Sequence, residues 1–132
     1  FSPEDRGENI RRVAEVARLI ADSGNIVISA FISPYKADRE RARQISEGNF
    51  HEVHIEADIE TCEQRDPKGL YAKARRGEIK QFTGVDAPYE APENADLVID
   101  TKKLSVEESI QILATYVDEV FGCISREHRD VA

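Results

Sequence analysis

Apolar residues recur every three or four positions in two long segments of the chain, residues 10–21 and residues 110–121. This spacing places the apolar side chains on one face, so each segment is predicted to form an amphipathic helix. Both segments follow a capping-box sequence, SPED at residues 2–5 and SVEE at residues 105–108, which favours a helix start at those positions. Gly24 provides a C-terminal stop for the first helix.

Three shorter segments have the composition of strands. Residues 25–33 (NIVISAFIS) and residues 95–101 (ADLVIDT) are short, largely apolar runs, typical of strands that a parallel sheet buries on both faces. Residues 50–57 are predicted to form a further strand. Because helices and strands alternate along the chain, we expect an α/β fold with a mainly parallel sheet. Ligands of such sheets bind beyond the carboxyl ends of the strands.

Local capping and turn signals predict three further helices and one long loop. The helices are residues 34–46 with Ser33 as N-cap, residues 59–65 with Asp58 as N-cap, and residues 70–76 ended by Gly77. Residues 78–94 contain glycine and proline breaks and little periodicity, so we expect an ordered loop over a site. Residues 123–132 are predicted to be a polar tail, which leaves residues 1–122 as one domain.

The overall composition agrees with a globular domain. Apolar residues make up 40% of the chain and charged residues 33%, which is typical of a folded rather than a disordered protein. No apolar run approaches the ~20 residues of a membrane span. The first residues lack the basic and apolar regions of a signal peptide.

Charge, cysteines and histidines narrow the range of partners. The net charge of -8 disfavours a nucleic-acid partner. Cys62 and Cys123 are far apart in sequence, so we expect free thiols, as in a cytoplasmic protein. No shared metal is expected at His51 and His54, because their odd separation places them on opposite faces of a strand.

Four motifs carry more specific information than the periodicity does. They are FSPEDRGENIRR at residues 1–12, FISPY at residues 31–35, DPKGLY at residues 66–71 and FTGVDAPYE at residues 82–90. In this order, over residues 1–121, they resemble the adenylylsulfate kinase family. The resemblance implies a P-loop NTPase-like, three-layer α/β fold with a mainly parallel sheet.

The resemblance also implies an activity. The family transfers the γ-phosphoryl group of ATP to the 3′-hydroxyl of adenosine 5′-phosphosulfate (APS). The product is 3′-phosphoadenosine 5′-phosphosulfate, the sulfuryl donor formed in sulfate assimilation. We therefore expect a cytoplasmic kinase that uses ATP with Mg²⁺ and takes APS as acceptor. A homodimer or a fusion to ATP sulfurylase is the expected assembly.

Individual residues receive roles from the same resemblance. Ser33 of FISPY would be the catalytic residue. APS would be bound by Phe1, Arg6, Asn9, Ile32, Ser33, Lys68, Gln81 and Phe82. ATP would be bound by Arg65, Lys73 and Arg75, the last two on a basic segment, residues 68–80, that would close as a lid. An adenine and a phosphosulfate anion call for aromatic faces and forked cationic donors, which Phe1, Phe82 and Arg6 offer.

A plainer structural interpretation exists for these residues. In it, Phe1 and Phe82 are core aromatics, and Arg6 lies on a solvated helix face. Ser33 is a helix N-cap, a role compatible with an anion site at the same helix terminus. Residues 68–80 then form an exposed helix with solvated charges.

The 132 residues contain no G-x-x-x-x-G-K-[ST] sequence, the loop with which such kinases cradle phosphates and hold magnesium. The family's D-G-D-N segment is missing as well. We therefore expect a piece of a longer polypeptide, with the N-terminal strand and the P-loop absent from this chain. Residues 25–33 and 95–101 would then border an unfilled gap in the sheet. These residues alone are predicted to be inactive.

Two other functions stay open. The first is a catalytically inactive, kinase-like domain that senses the product nucleotide, although motifs without departures favour an enzyme. The second is a P-loop kinase of another small substrate, which the joint presence of FISPY and DPKGLY disfavours.

Overall fold

Five helices and two strands follow one another within residues 2–122, the part of the chain that the computed structural model describes. In chain order they are α1 (Pro3–Asp22), α2 (Lys36–Ile45), β1 (Val53–Glu56), α3 (Ile59–Arg65), α4 (Leu70–Arg75), β2 (Leu97–Asp100) and α5 (Val106–Phe121). Phe1 and the predicted polar tail, residues 123–132, lie outside the described residues. None of the described helices is long and apolar enough to cross a lipid bilayer.

The two strands form a parallel pair, which confirms the predicted α/β class and the parallel direction of the sheet. Their register sets Glu56 of β1 opposite Asp100 of β2. Ile99 of β2 is 1% exposed and belongs to the core of the described residues. Beyond the pair, the Thr101 N–H donates to the Glu56 carbonyl at 3.0 Å. The carboxyl ends of the two strands therefore stay joined.

Local capping sequences define the starts of three helices, as predicted. Ser2 and Asp5 exchange the hydrogen bonds of a capping box at the start of α1. Ser105 and Glu108 do the same at α5, and the Asp58 side chain caps α3. These side chains satisfy first-turn N–H groups that have no partner inside the helix.

Small residues let α1 and α2 pack closely. Ala14 of α1 and Ala42 of α2 are buried. Near the N-terminal ends of the two helices, a Cβ on Gly7 would lie 2.9 Å from Asp38 Oδ1. The N-terminal ends of α1 and α2 therefore lie side by side. Residues of the predicted site lie within α1 and immediately before α2.

The prediction of a strand over residues 25–33 is wrong. The segment contains no strand, and within residues 2–122 no backbone hydrogen bond joins residues 26–32 to another segment. Ile28 is 76% exposed. An apolar, β-branched run becomes a strand only where a neighbouring strand shares its backbone hydrogen bonds, and the described residues place none beside it. Residues 95–101 were the other segment expected to border a gap in the sheet. They contain β2, which pairs with β1 along one of its edges.

The prediction that Ser33 caps the second helix is also wrong. α2 begins at Lys36, and Tyr35 occupies its N-cap position without a side-chain hydrogen bond. The Lys36 N–H donates instead to Glu90 Oε2 at 2.6 Å. Ser33 has a φ of 41°, in the left-handed region, whereas an N-cap residue has an extended backbone. A carboxylate distant in sequence therefore replaces the local cap.

Candidate functional site

Asp86 organises the loop that carries Phe82, here called the Phe82 loop (residues 81–87). Its Oδ2 accepts the Gln81 N–H at 2.8 Å and its Oδ1 accepts the Phe82 N–H at 2.6 Å. These two hydrogen bonds hold the pKa of Asp86 below its ordinary value. Gln81 has a φ of 56°, which is uncommon for a residue with a side chain. One carboxylate thus closes the loop into a defined turn.

Arg6, in the first turn of α1, binds the Phe82 loop. Its Nη1 donates to Thr83 Oγ1 at 2.9 Å, and its Nη2 donates to the Gln81 carbonyl at 2.7 Å. Thr83 is buried, so the guanidinium reaches into the base of the loop. The interpretation of Arg6 as a solvated cation on a helix face is therefore wrong.

The Phe82 ring packs edge-to-face against Tyr71 of α4, with ring centroids 4.9 Å apart and planes inclined by 76°. Burial, followed by a hydrogen bond with Cys62, raises the pKa of Tyr71 to about 12. Next to the ring, a Cβ on Gly84 would lie 2.8 Å from Ile59 Cδ1. The helices α3 and α4 thus fix one side of the loop, while the Phe82 side chain remains half-buried.

Ser33 lies in the turn before α2, here called the Ser33 loop (residues 31–36). Its carbonyl accepts a hydrogen bond from Arg39 Nη1 at 2.8 Å. The carbonyl of Pro34 accepts the Glu90 N–H at 2.8 Å. The side chain of Ile32 is 64% exposed. The Ser33 loop is thus attached both to α2 and to the long loop that follows Phe82.

The cations expected to bind ATP differ in what they already bind. Arg65 donates to Thr101 Oγ1 at 3.0 Å and to the Thr101 carbonyl at 2.5 Å. Arg75 forms an ion pair with Glu63 at 2.6 Å. Lys73 is exposed and, like Lys68, has no ion pair with another residue in the described range 2–122. In the same range, no group of three or more His, Cys, Asp or Glu side chains is arranged to hold a metal ion.

The sequence model of the adenylylsulphate kinase family matches residues 1–100. This chain belongs to the adenylylsulfate kinase family. The matched range includes the Ser33 loop, the Phe82 loop and Arg6, and so covers all of the contacts described above at these loops.

Adenylyl-sulfate kinases of several bacteria are similar to this chain over most of its length. The enzyme of Staphylococcus haemolyticus (strain JCSC1435) is 58% identical over 118 residues, which are 89% of this chain and 59% of that relative. The enzyme of Bacillus pumilus (strain SAFR-032) is 58% identical over 120 residues, which are 90% of this chain and 61% of that relative. The chain thus spans less than two thirds of the length of these relatives.

A solved adenylylsulfate kinase has the same fold. APS kinase CysC from Mycobacterium tuberculosis, in complex with AMPPNP and APS, superposes with a TM-score of 0.77 at 42% identity. The superposition covers 88% of this chain and 69% of that chain. This likeness confirms the predicted P-loop NTPase-like α/β class.

The structure joins some of the kinase residues expected from the motifs and leaves others apart. Arg6 is bonded to Gln81 and so to the Phe82 loop. Asn9 is exposed on α1, one helical turn beyond Arg6. Within residues 2–122, no hydrogen bond or ion pair connects Ser33 with the Phe82 loop. Phe1 lies outside the described residues.

Four residues that shape these loops were missed by sequence reasoning: Thr83, Asp86, Glu90 and Arg39. The first three stand inside the motif FTGVDAPYE, so the motif itself was the available signal. Arg39 is one of four basic residues between positions 36 and 43, and nothing in the periodicity distinguishes it from an exposed cation. Three of them bind groups that are distant in sequence, whereas Asp86 accepts N–H groups only four and five residues before it.

Proposed function

We propose that the chain serves the ATP-dependent phosphorylation of the 3′-hydroxyl of APS and that it supplies the surface that binds APS. The contact of Arg6 with the Phe82 loop carries this proposal, because it brings a forked cation and an aromatic ring to one place. APS carries an anion for the first and an adenine for the second. The names of the relatives and the bound APS of the Mycobacterium tuberculosis kinase support the assignment.

Phe82 is assigned to one face of the adenine. Tyr71 contacts the ring edge-on, which leaves a face for an offset-stacked base. The Asp86 hydrogen bonds already fix the backbone of Phe82, so little freedom is lost when the adenine binds. Phe1 is assigned to the opposite face of the base.

Arg6 is assigned to the phosphosulfate. A guanidinium has five N–H donors, and the Phe82 loop takes one from each Nη atom. The remaining donors can form charge-assisted hydrogen bonds with an oxyanion. Asn9, one turn along the same helix, adds a polar contact, and Lys68 supplies a second cation from the turn before α4. Gln81 contributes through its carbonyl, which orients Arg6.

ATP is assigned to the cations of α3 and α4. Lys73 can turn towards phosphates without breaking an ion pair, whereas Arg75 must exchange Glu63 for the nucleotide. Arg65 must likewise leave Thr101 to stack on a base. Kinases use Mg²⁺ with ATP, but the described residues offer no ligand cluster that fits the ion. None of the described residues is therefore assigned as a ligand of Mg²⁺.

Ser33 and Ile32 are assigned to the acceptor side of the site. Phosphoryl transfer between two bound nucleotides depends on positioning and on neutralisation of charge. The Ser33 hydroxyl is therefore proposed to orient the acceptor, and a covalent phosphoserine is not required. That the 132 residues do not turn over by themselves stays a prediction.

Isothermal titration of APS into the purified 132-residue chain tests the proposal. Arg6→Ala removes charge-assisted hydrogen bonds worth about 1.5–3 kcal/mol, so the Kd of APS should rise about tenfold to hundredfold. Arg12→Ala is the matched control, because Arg12 lies on the same helix and binds Glu8. Equal loss of affinity in both variants, or no APS binding by the unchanged chain, would contradict the proposal.

A further inference from the structure

Arg39 of α2 lies against the Ser33 loop and has no part in the APS contacts proposed above. Its side chain is only 10% exposed, although an arginine is almost never buried unless it is paired. Nη1 donates to the Ser33 carbonyl at 2.8 Å, and Nη2 donates to the Glu90 carbonyl at 2.7 Å. One guanidinium therefore joins two loop segments that are far apart in sequence.

Glu52, the residue before β1, anchors this guanidinium. Arg39 Nε lies 2.6 Å from Glu52 Oε1, and the Glu52 side chain is 16% exposed. The other carboxylate oxygen accepts a hydrogen bond from Arg43 Nη2 at 3.3 Å, and the Glu52 N–H donates to Asp96 Oδ2 at 2.7 Å. Arg39 thus connects the amino-terminal end of β1 with the Ser33 loop.

Ser33 has a φ of 41°, a conformation that few residues other than glycine adopt without strain. Such a residue persists only where surrounding contacts hold it. Arg39 binds its carbonyl directly. Glu90 binds the first and the third residue after Ser33, since its N–H donates to the Pro34 carbonyl and its carboxylate accepts the Lys36 N–H. Because Arg39 also holds the Glu90 carbonyl, it acts on both sides of the turn.

We propose that Arg39 is a positioning residue for Ser33. By donating to the Ser33 and Glu90 carbonyls, it keeps Ser33 left-handed and so fixes the direction in which the Ser33 side chain leaves the backbone. The consequence for ligand binding rests on the proposed function, in which Ser33 faces APS. Lysine cannot substitute, because a planar guanidinium reaches two carbonyls and a carboxylate at once, whereas an ammonium is a point charge on a flexible stem.

Arg39→Lys in the 132-residue chain is the deciding variant, and Arg43→Lys is its matched control. Arg43 shares the Glu52 carboxylate, but within residues 2–122 it makes no hydrogen bond to Ser33 or Glu90. The first readout is the pair of ¹³C chemical shifts of Ser33 Cα and Cβ, which report a left-handed backbone without any ligand. The second readout is the Kd of APS from calorimetry.

Arg39→Lys should move the Ser33 shifts out of the left-handed range and raise the Kd of APS about tenfold. Arg43→Lys should leave the Ser33 shifts unchanged. Ser33 shifts that stay left-handed in Arg39→Lys would overturn the inference, and so would equal movement in both variants. Absence of APS binding in the unchanged chain would overturn the proposed function instead, and the shifts would still decide the role of Arg39.

If Arg39→Lys does not fold, Ser33→Gly is added to it. Glycine adopts a φ of 41° without strain, so the double variant should regain a cooperative thermal transition. A double variant as unfolded as the single one would show that Arg39 acts only through its ion pair with Glu52, which would overturn the inference.

Discussion

Phe82 donates its backbone N–H to the carboxylate of Asp86 across 2.6 Å. The other oxygen of that carboxylate accepts the N–H of Gln81, whose carbonyl in turn accepts a hydrogen bond from Arg6. This sequence of contacts couples the orientation of the Phe82 ring to the position of the Arg6 guanidinium. A change at any of its links should therefore alter the binding of both parts of APS.

Asp86→Asn should weaken APS binding. The carboxylate accepts one N–H group with each of its two oxygens, whereas the amide of asparagine has a single oxygen and leaves one N–H group without an acceptor. The loss of a charge-assisted hydrogen bond should raise the Kd of APS about tenfold. Calorimetry measures this Kd. Glu119→Gln is the control, since Glu119 is an exposed acid on α5 far along the chain from the loop. Unchanged APS affinity in Asp86→Asn would show that the carboxylate does not organise the loop.

Asp86 should also give the chain a measurable pH dependence. Its folded-state pKa lies below the ordinary value because it accepts two backbone N–H groups. Its contribution is therefore fully present above the unfolded pKa of about 3.9 and is lost as pH falls through the folded pKa. The difference in thermal midpoint between the unchanged chain and Asp86→Asn should be constant near neutral pH and should shrink in acid. A difference that stays constant down to about pH 2 would argue against this role.

Tyr71 should support Phe82 through its ring and not through its hydroxyl. Tyr71→Phe keeps the edge-to-face contact and should leave the Kd of APS unchanged. Tyr71→Leu removes an aromatic pair worth about 0.5–1.5 kcal/mol, so the Kd should rise about twofold to tenfold. If Tyr71→Phe weakens binding as much as Tyr71→Leu, the hydroxyl carries the effect and the proposed packing role is wrong.

Alanine substitutions at Gly84 and Gly77 distinguish the cost of a left-handed backbone from the cost of a steric clash. Both have positive φ, 83° and 74°, but only at Gly84 would an added Cβ meet a neighbour, Ile59 Cδ1 at 2.8 Å. Gly77→Ala should cost about 1–2 kcal/mol of unfolding free energy from the left-handed conformation alone. Gly84→Ala should cost more, because Ile59 must also move. Urea unfolding measures both, and equal losses would mean that Ile59 yields freely.

Local signals correctly predicted the N-caps of α1, α3 and α5. The predicted helix over residues 59–65 coincides with α3, and its cap, Asp58, is confirmed. The capping boxes at Ser2 and Ser105 are confirmed as well. In each case the residues that decide the conformation lie within one turn of each other, so a short sequence window contains the whole cause.

The incorrect predictions concern segments whose conformation depends on distant groups. Residues 25–33 have the composition of a strand, but no strand lies beside them among the described residues. Ser33 followed by proline has the sequence of an N-cap, but Arg39 and Glu90 hold the turn differently. Neither partner can be inferred from local propensity, because the contacts are made only after the chain has folded.

The sequence motifs propose residues for the candidate site but carry no information about the contacts between them. The motifs pointed to Arg6, Gln81 and Phe82, but their distances in sequence gave no sign that Arg6 binds the carbonyl of Gln81. The supporting residues Asp86 and Arg39 were missed because each acts on the backbone of a loop. Backbone acceptors and donors have no residue type, so a pattern of side chains cannot identify them.

The preference of the chain for APS over adenosine tests most directly whether Arg6 and Phe82 bind this acceptor. Both ligands present the same base to Phe82, but only APS has an anion for Arg6. In calorimetry on the 132-residue chain, the Kd of APS should be lower than the Kd of adenosine by a factor of about ten or more. Arg6→Ala should reduce this preference, and Phe82→Ala should weaken both ligands. Equal affinity of the unchanged chain for the two ligands, or a preference that survives Arg6→Ala, would contradict the assignment.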